Sequence, residues 1–136
     1  MTTNTNSSKA MHITLWVVQV LLAAMFLLSG FMKVSMPIEK LAAMLPWATT
    51  VPAVLVRFIG LSELLGGLGL LLPSMLRIKP ALTAWAGLGL ATIMLLAIPF
   101  HISRSETPMI GMNAIFMVLA LFVAWGRWKK APIQAK

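Results

Sequence analysis

Cysteine is missing from the 136 residues, which removes disulfides, thiol catalysis, iron–sulfur ligation and quinone-coupled thiol oxidation from the chemistries the chain carries by itself. Acidic residues are almost as scarce: Glu39, Glu63 and Glu106 are the only three, against eleven Lys and Arg. Spread over a loop, a helix centre and another loop, they fail to make the Glu and Glu-x-x-His constellation of a di-iron bundle. Histidine occurs twice. His12 belongs to one end of the first apolar run and His101 to the opposite end of the third, a membrane thickness apart, so the two do not jointly ligate one haem within a subunit. Walker, dinucleotide-binding and nucleophile-elbow sequences are absent as well. No metal and no intrinsic cofactor is therefore expected.

What the chain has in abundance is apolar sequence. Hydrophobic residues make up 60% of it, which places it among membrane proteins rather than among soluble domains of this length. Four runs, Ala10 to Met32, Val51 to Leu72, Pro80 to Phe100 and Met109 to Trp125, each approach or reach the roughly 20 residues a helix needs to cross about 30 Å of hydrocarbon. The expected fold class is an all-α integral membrane protein, a four-transmembrane-helix bundle with a short interfacial helix between the first two crossings. Residues 1–9, rich in Thr, Asn and Ser, read as a disordered tail, 10–128 as the membrane domain and 129–136 as a basic tail. The first apolar run is too long for a signal-peptide core and lacks a small-x-small cleavage site, so it reads as an uncleaved helix.

The basic balance resembles a nucleic-acid footprint only until the charges are placed. With four crossings, Lys9, Arg77, Lys79, Arg127, Lys129, Lys130 and Lys136 fall on one side with no acidic residue among them. That side is expected to be cytoplasmic. The other side holds Lys33, Lys40 and Arg104, largely offset by Glu39 and Glu106. Both termini are thus expected inside, in a bacterial inner membrane. Trp16, Trp85, Trp125 and Trp128 fall at the cytoplasmic ends of their segments and Trp47 near the other interface, as aromatic anchors do. Between the first two crossings, Pro37 suits a first helical turn, and Ile38, Leu41, Met44 and Leu45 recur at helical spacing.

Gly60, Ser62, Gly66, Gly67 and Gly69 crowd the second crossing, a density suited to close backbone contact in lipid. Ser62 with Gly66, Gly87 with Ala91, and Ala120 with Ala124 form small-xxx-small pairs, so an intimate bundle is expected. Pro80 begins the third crossing and Pro99 marks the approach to its far end. The eleven methionines are scattered and read as plastic packing rather than as soft-metal ligands.

Glu63 is the residue that demands an explanation. It lies near the middle of Pro52 to Pro73, and an ionisable group at that depth is costly unless paired, hydrated or protonated, so it marks a candidate site. Arg57, six residues earlier, is about 120° away around the helix axis and poorly placed to pair with it. Arg57 reaches the rim by snorkelling; Glu63 does not. Thr92 and Asn113 lie at compatible depth, while Ser29, Lys33 and His101 lie nearer the rim with Arg57. The expected ligand-binding pocket is Glu63, Arg57, His101, Asn113, Lys33 and Thr92, opening away from the cytoplasm. Catalytic residues are not assigned, and a purely structural role for Glu63 as a strut stays open.

The string Gly60-Leu-Ser-Glu63-Leu-Leu-Gly66-Gly-Leu-Gly-Leu-Leu-Leu-Pro73, with Phe26-Leu-Leu-Ser-Gly30-Phe-Met-Lys33 before it, resembles the DoxX-like family of small four-helix membrane proteins. The likeness continues in Ala97-Ile-Pro-Phe-His101 and in Asn113 with the hydrophobic run to Arg127. By matching position, Lys33, Glu63, His101 and Asn113 are the polar positions characteristic of the family. The resemblance implies links to membrane-bound sulfur oxidation, where a thiosulfate:quinone oxidoreductase contains related sequence, and to oxidative-stress complexes. Without an extra domain, cysteine or cofactor motif, the chain is expected to act as a non-catalytic membrane subunit or accessory protein of a quinone-linked redox complex. A proton-coupled or small-molecule carrier using Glu63, and an enzyme acting on a lipid or quinone headgroup, are the alternatives. The expected partners are the lipid bilayer, a quinone or lipid ligand, and a membrane or redox protein, with homo-oligomerisation open and no nucleic acid.

Overall fold

The computed structural model describes residues 5–136. Residues 1–4 of the expected tail lie outside the described residues. Helix α1 spans Thr5–Ser35, starting five residues ahead of Ala10. Residues 5–9 therefore prolong the helix, because once an apolar helix exists each further residue adds one hydrogen bond at little cost. The short α2, Ile38–Met44, follows and runs into a tight turn at Pro46–Thr49. Three more long helices complete the chain: α3 at Ala53–Leu76, α4 at Ala81–Ser103 and α5 at Thr107–Trp125. Among the described residues four helices are long and apolar enough to cross a membrane, the shortest segment having 23 residues, or about 35 Å of helix.

Two prolines sit inside helices rather than ending them, Pro73 in α3 and Pro99 in α4. Each removes one backbone hydrogen bond, a loss that neighbouring helices and hydroxyl side chains make tolerable in a bundle. As a result α3 continues to Leu76 and α4 carries His101 on its last turn. After α5 the chain makes a wide helical turn, Gly126–Lys130. It then returns across the start of the α3–α4 turn, where the Lys136 amide donates to the Arg77 carbonyl at 3.1 Å and Arg77 Nε donates to the Gln134 carbonyl at 2.7 Å. The start of α1 and the C-terminal residues share one end of the bundle, the terminal end; α2 and the α4–α5 turn lie at the distal end.

Helix α1 packs chiefly on α3, α4 on α5, and α3 bridges the two pairs. A core of Leu22, Phe26, Leu70, Leu90, Met94 and Val123 fills the centre, and a smaller cluster of Leu41, Trp47, Ala48 and Val56 lies under the distal loop. The outer surface is apolar too, with Phe31, Val54, Phe58, Leu65, Leu96 and Val118 exposed, as a lipid-facing surface requires. Trp47 departs from the expected anchor position. It is buried, with its ring edge-on to Phe100 at 5.8 Å.

With lipid no less apolar than leucine, helix association in a membrane rests on close packing, and small residues permit it. Gly30 and Gly60 face each other: a Cβ on Gly30 would come within 2.6 Å of the Gly60 carbonyl oxygen. A Cβ on Gly87 would lie 2.8 Å from the Ala120 carbonyl oxygen, so the small surfaces read from α4 and α5 do meet. The Ser62–Gly66 pair does not form such a surface. Ser62 donates to the Phe58 carbonyl on its own helix, and Gly66 receives the Leu90 side chain. Gly30→Ala should accordingly cost about 1–3 kcal/mol of stability through overpacking against backbone. Gly89→Ala, which meets nothing within 4 Å, should be neutral or stabilising. Thermal unfolding of both variants in detergent measures the contrast, and equal melting temperatures would contradict it.

Candidate functional site

The site is built around Glu63, 2% exposed in the middle of α3. Its Oε1 accepts hydrogen bonds from Ser29 Oγ at 2.9 Å and Lys33 Nζ at 3.0 Å, and Oε2 accepts from Lys33 Nζ at 3.1 Å. Ser29 and Lys33 are one turn apart on α1 and so present both donors on one face. Helical side chains lean toward the helix N-terminus. On α1 that direction carries the Lys33 ammonium inward from the rim to Glu63, and on the antiparallel α3 it carries Arg57 outward. Gly60 supplies the room, since a Cβ there would lie 2.6 Å from Lys33 Cβ. Both carboxylate oxygens are thereby paired, and two of the three ammonium protons are used on them.

Arg57 ends elsewhere than expected. Its Nη1 donates to the Lys33 and Met36 carbonyls at 2.9 and 2.7 Å, capping the C-terminal end of α1. These are the orphan acceptors every helix end leaves, and a cation is favoured there by the helix dipole. Thr92 is also removed from the expected pocket: it is exposed and donates to the Leu88 carbonyl one turn back, a bond that satisfies the hydroxyl without any other helix. The remaining four, Glu63, Lys33, His101 and Asn113, converge on one cavity of about 450 Å³, joined by Ser29. Asn113 is 7% exposed and makes no side-chain hydrogen bond among the described residues.

His101 is 3% exposed and anchored from outside the cavity, its Nδ1 lying 2.8 Å from Glu106 Oε1. Glu106 also accepts from Arg104 Nε at 3.0 Å, while Arg104 Nη1 donates to Thr50 Oγ1 at 3.2 Å, tying the α4–α5 turn to the distal loop. The His101 hydrogen bond, and then Arg104, hold the Glu106 carboxyl below its ordinary range. An ionised Glu106 accepts, so His101 donates through Nδ1–H and a neutral ring keeps Nε2 as an acceptor. Trp47 covers the same cavity with Lys33 Nζ 5.6 Å from its ring centroid. Its Nε1 is shut off from solvent and, like the Asn113 amide, has no partner among the described residues.

The cavity exists because α3 and α4 touch in one half of the bundle and part in the other. Gly66 and Gly69 admit Leu90 and Ala86 of α4. One turn further toward the distal end the contact gives way to open space between Glu63, Ile59 and Ala97. Phe58 of α3 and Leu96 of α4 line this space and are 64% and 70% exposed on the lipid-facing surface, so the cavity gives onto the lipid side.

A second buried polar group, at the terminal end, was not read from the sequence. Arg127 Nε donates to Gln19 Oε1 at 2.6 Å, and Gln19 Nε2 donates to the Leu70 carbonyl at 2.6 Å. Ser74 and Thr83 hydroxyls share a hydrogen bond at 2.7 Å beside them. Gln19 is fully buried and Arg127 is 4% exposed. The signal was present in Gln19, a long polar side chain inside the first apolar run. Arg127, by contrast, was counted as a topology-setting surface charge.

Four apolar helices of spanning length, cross-linked by a buried ion pair beside a lipid-side cavity, define an integral membrane bundle with a polar intramembrane site. The chain belongs to the DoxX-like family, whose model matches residues 17–123. No curated protein and no solved structure matches it. The matched stretch contains Ser29, Lys33, Glu63, His101 and Asn113, and stops short of Arg127.

Breaking the ion pair leaves one charge buried and uncompensated. Lys33→Met alone should therefore cost about 3–5 kcal/mol, whereas Lys33→Met combined with Glu63→Met should recover most of that loss. Unfolding of the single and double variants in detergent gives the coupling, and strictly additive losses would show that the pair is not formed.

Proposed function

We propose that the protein is a non-catalytic membrane subunit whose distal cavity holds the polar head of a membrane-soluble amphiphile of the quinone or lipid class, in the service of a redox partner. The observation that carries this reading is the cavity itself: about 450 Å³, within the range of small-molecule sites, mostly apolar, with a few convergent polar groups and lipid-exposed residues at its rim. Asn113 offers both a donor and an acceptor, and His101 Nε2 offers an acceptor, a set that suits the carbonyl or hydroxyl of a ring headgroup. The apolar wall of Phe26, Ile93 and Phe116 suits the ring and the start of its chain. Glu63 is paired with Lys33 and Ser29 through both its oxygens, which weighs for a binding site over a proton carrier. With the basic terminal end in the cytoplasm of a bacterial inner membrane, the cavity would open in the outer leaflet.

Trp47 provides the assay, since it lines the cavity while the other four tryptophans lie toward the terminal end. A short-chain benzoquinone should quench its fluorescence saturably, Trp47→Phe should abolish the saturable component, and Asn113→Ala should weaken binding about tenfold. Quenching that is linear in quinone and identical in Asn113→Ala would dismiss the reading.

A further inference from the structure

A second cavity, of about 580 Å³, lies at the terminal end, lined by His12, Trp16, Ser74, Met75, Arg77 and Gln134 among others. Of the polar side chains lining it, His12 and Arg77 present donors, and the Gln134 amide brings a donor and an acceptor. Arg127 Nη1 donates to His12 Nδ1 at 2.9 Å, and because a guanidinium has no acceptor, Nδ1 must carry the lone pair. The proton of the neutral imidazole is thereby placed on Nε2, a donor with no partner among the described residues. Arg77 spends Nε on the Gln134 carbonyl, leaving its two terminal nitrogens without a partner among the described residues. The Ser74 hydroxyl is taken up by Thr83.

No acidic side chain offsets these cations: Glu39, Glu63 and Glu106 lie in α2, in mid-membrane and in the α4–α5 turn, and the α-carboxylate of Lys136, whose amide bonds the Arg77 carbonyl, forms no ion pair among the described residues. Arg127, directly behind His12, is buried against neutral acceptors alone: Gln19 Oε1 at 2.6 Å and the Ala131 carbonyl at 2.8 Å. Beside the cavity, Met75, Leu76 and Ile78 are 61%, 51% and 55% exposed, an apolar surface of the kind that faces acyl chains.

We infer that this cavity is a phosphate-group site, with His12 and Arg77 as the donors and an anionic phospholipid head or free phosphate as the source. It is separate from the distal cavity and independent of the function proposed for it. The apolar border favours the lipid. The test reconstitutes the full chain in vesicles of equal phosphatidylglycerol and phosphatidylcholine, extracts it mildly and weighs the retained lipid by native mass spectrometry. Phosphatidylglycerol should be retained over phosphatidylcholine, and Arg77→Gln should reduce that retention about tenfold. Lys40→Gln, which removes the same charge from the exposed distal helix α2, should leave it unchanged. Adding inorganic phosphate separates the sources: displacement of the lipid assigns the site to the free ion, persistence assigns it to the headgroup, and either supports a phosphate site. Equal retention of the two lipids, or equal losses in Arg77→Gln and Lys40→Gln, would overturn the inference.

Discussion

A carboxylate in the middle of a membrane helix has to be matched by another helix, and in this protein the match is the Lys33 ammonium, held 3.0 and 3.1 Å from the two oxygens of Glu63. Much of the distal architecture is arranged around that constraint. Gly60 is small so that the Lys33 stem fits against α3, Gly30 is small so that the backbones approach, and Ser29 completes the carboxylate's hydrogen bonds. Arg57 then closes the end of α1 from the same face of the bundle. The pair fixes the register of α1 against α3. It also leaves α4 free to part from α3 at the level of Glu63, which is where the cavity opens.

The polar groups form two layers of opposite character. The distal layer contains both signs of charge and a lipid-side opening, so it can receive a neutral polar head without importing net charge. The terminal layer has cationic and neutral side chains and no acidic one, threaded from Gln19 on α1 through the Leu70 carbonyl of α3 to Arg127 beyond α5. Between them the bundle is sealed by Leu22, Leu70, Leu90 and Val123. A molecule reaching one layer would not reach the other without opening that core.

The fold was legible because membrane helices announce themselves by length and hydropathy, and α2 by its spacing of Ile38, Leu41 and Met44. Its limits were less so: Pro73 and Pro99 look like stops, yet a bundle supports the helix on either side of them. Of the site, Glu63, Lys33, His101 and Asn113 could be found because each is polar in an apolar context. Depth alone places Thr92 in the pocket, but a threonine can satisfy itself on its own helix, as this one does on the Leu88 carbonyl. Arg57 was recognised as rim-directed but not as a cap, because the carbonyls it bonds belong to a different helix. Trp47 reads as an interfacial anchor in the sequence, and only the fold places it under the distal loop. Arg127 shows the converse limit. Charge counting assigns it to a side of the membrane but does not say whether it is buried.

The most direct measurement is rotational-echo double-resonance NMR between lysine ¹⁵Nζ and glutamate ¹³Cδ in protein reconstituted in lipid bilayers, with Glu63→Gln as the reference. A Lys33–Glu63 contact gives strong dephasing that disappears in Glu63→Gln. Dephasing that is absent, or unchanged in that variant, would mean that the carboxylate is met by something other than Lys33 and that the distal cavity is not organised as described.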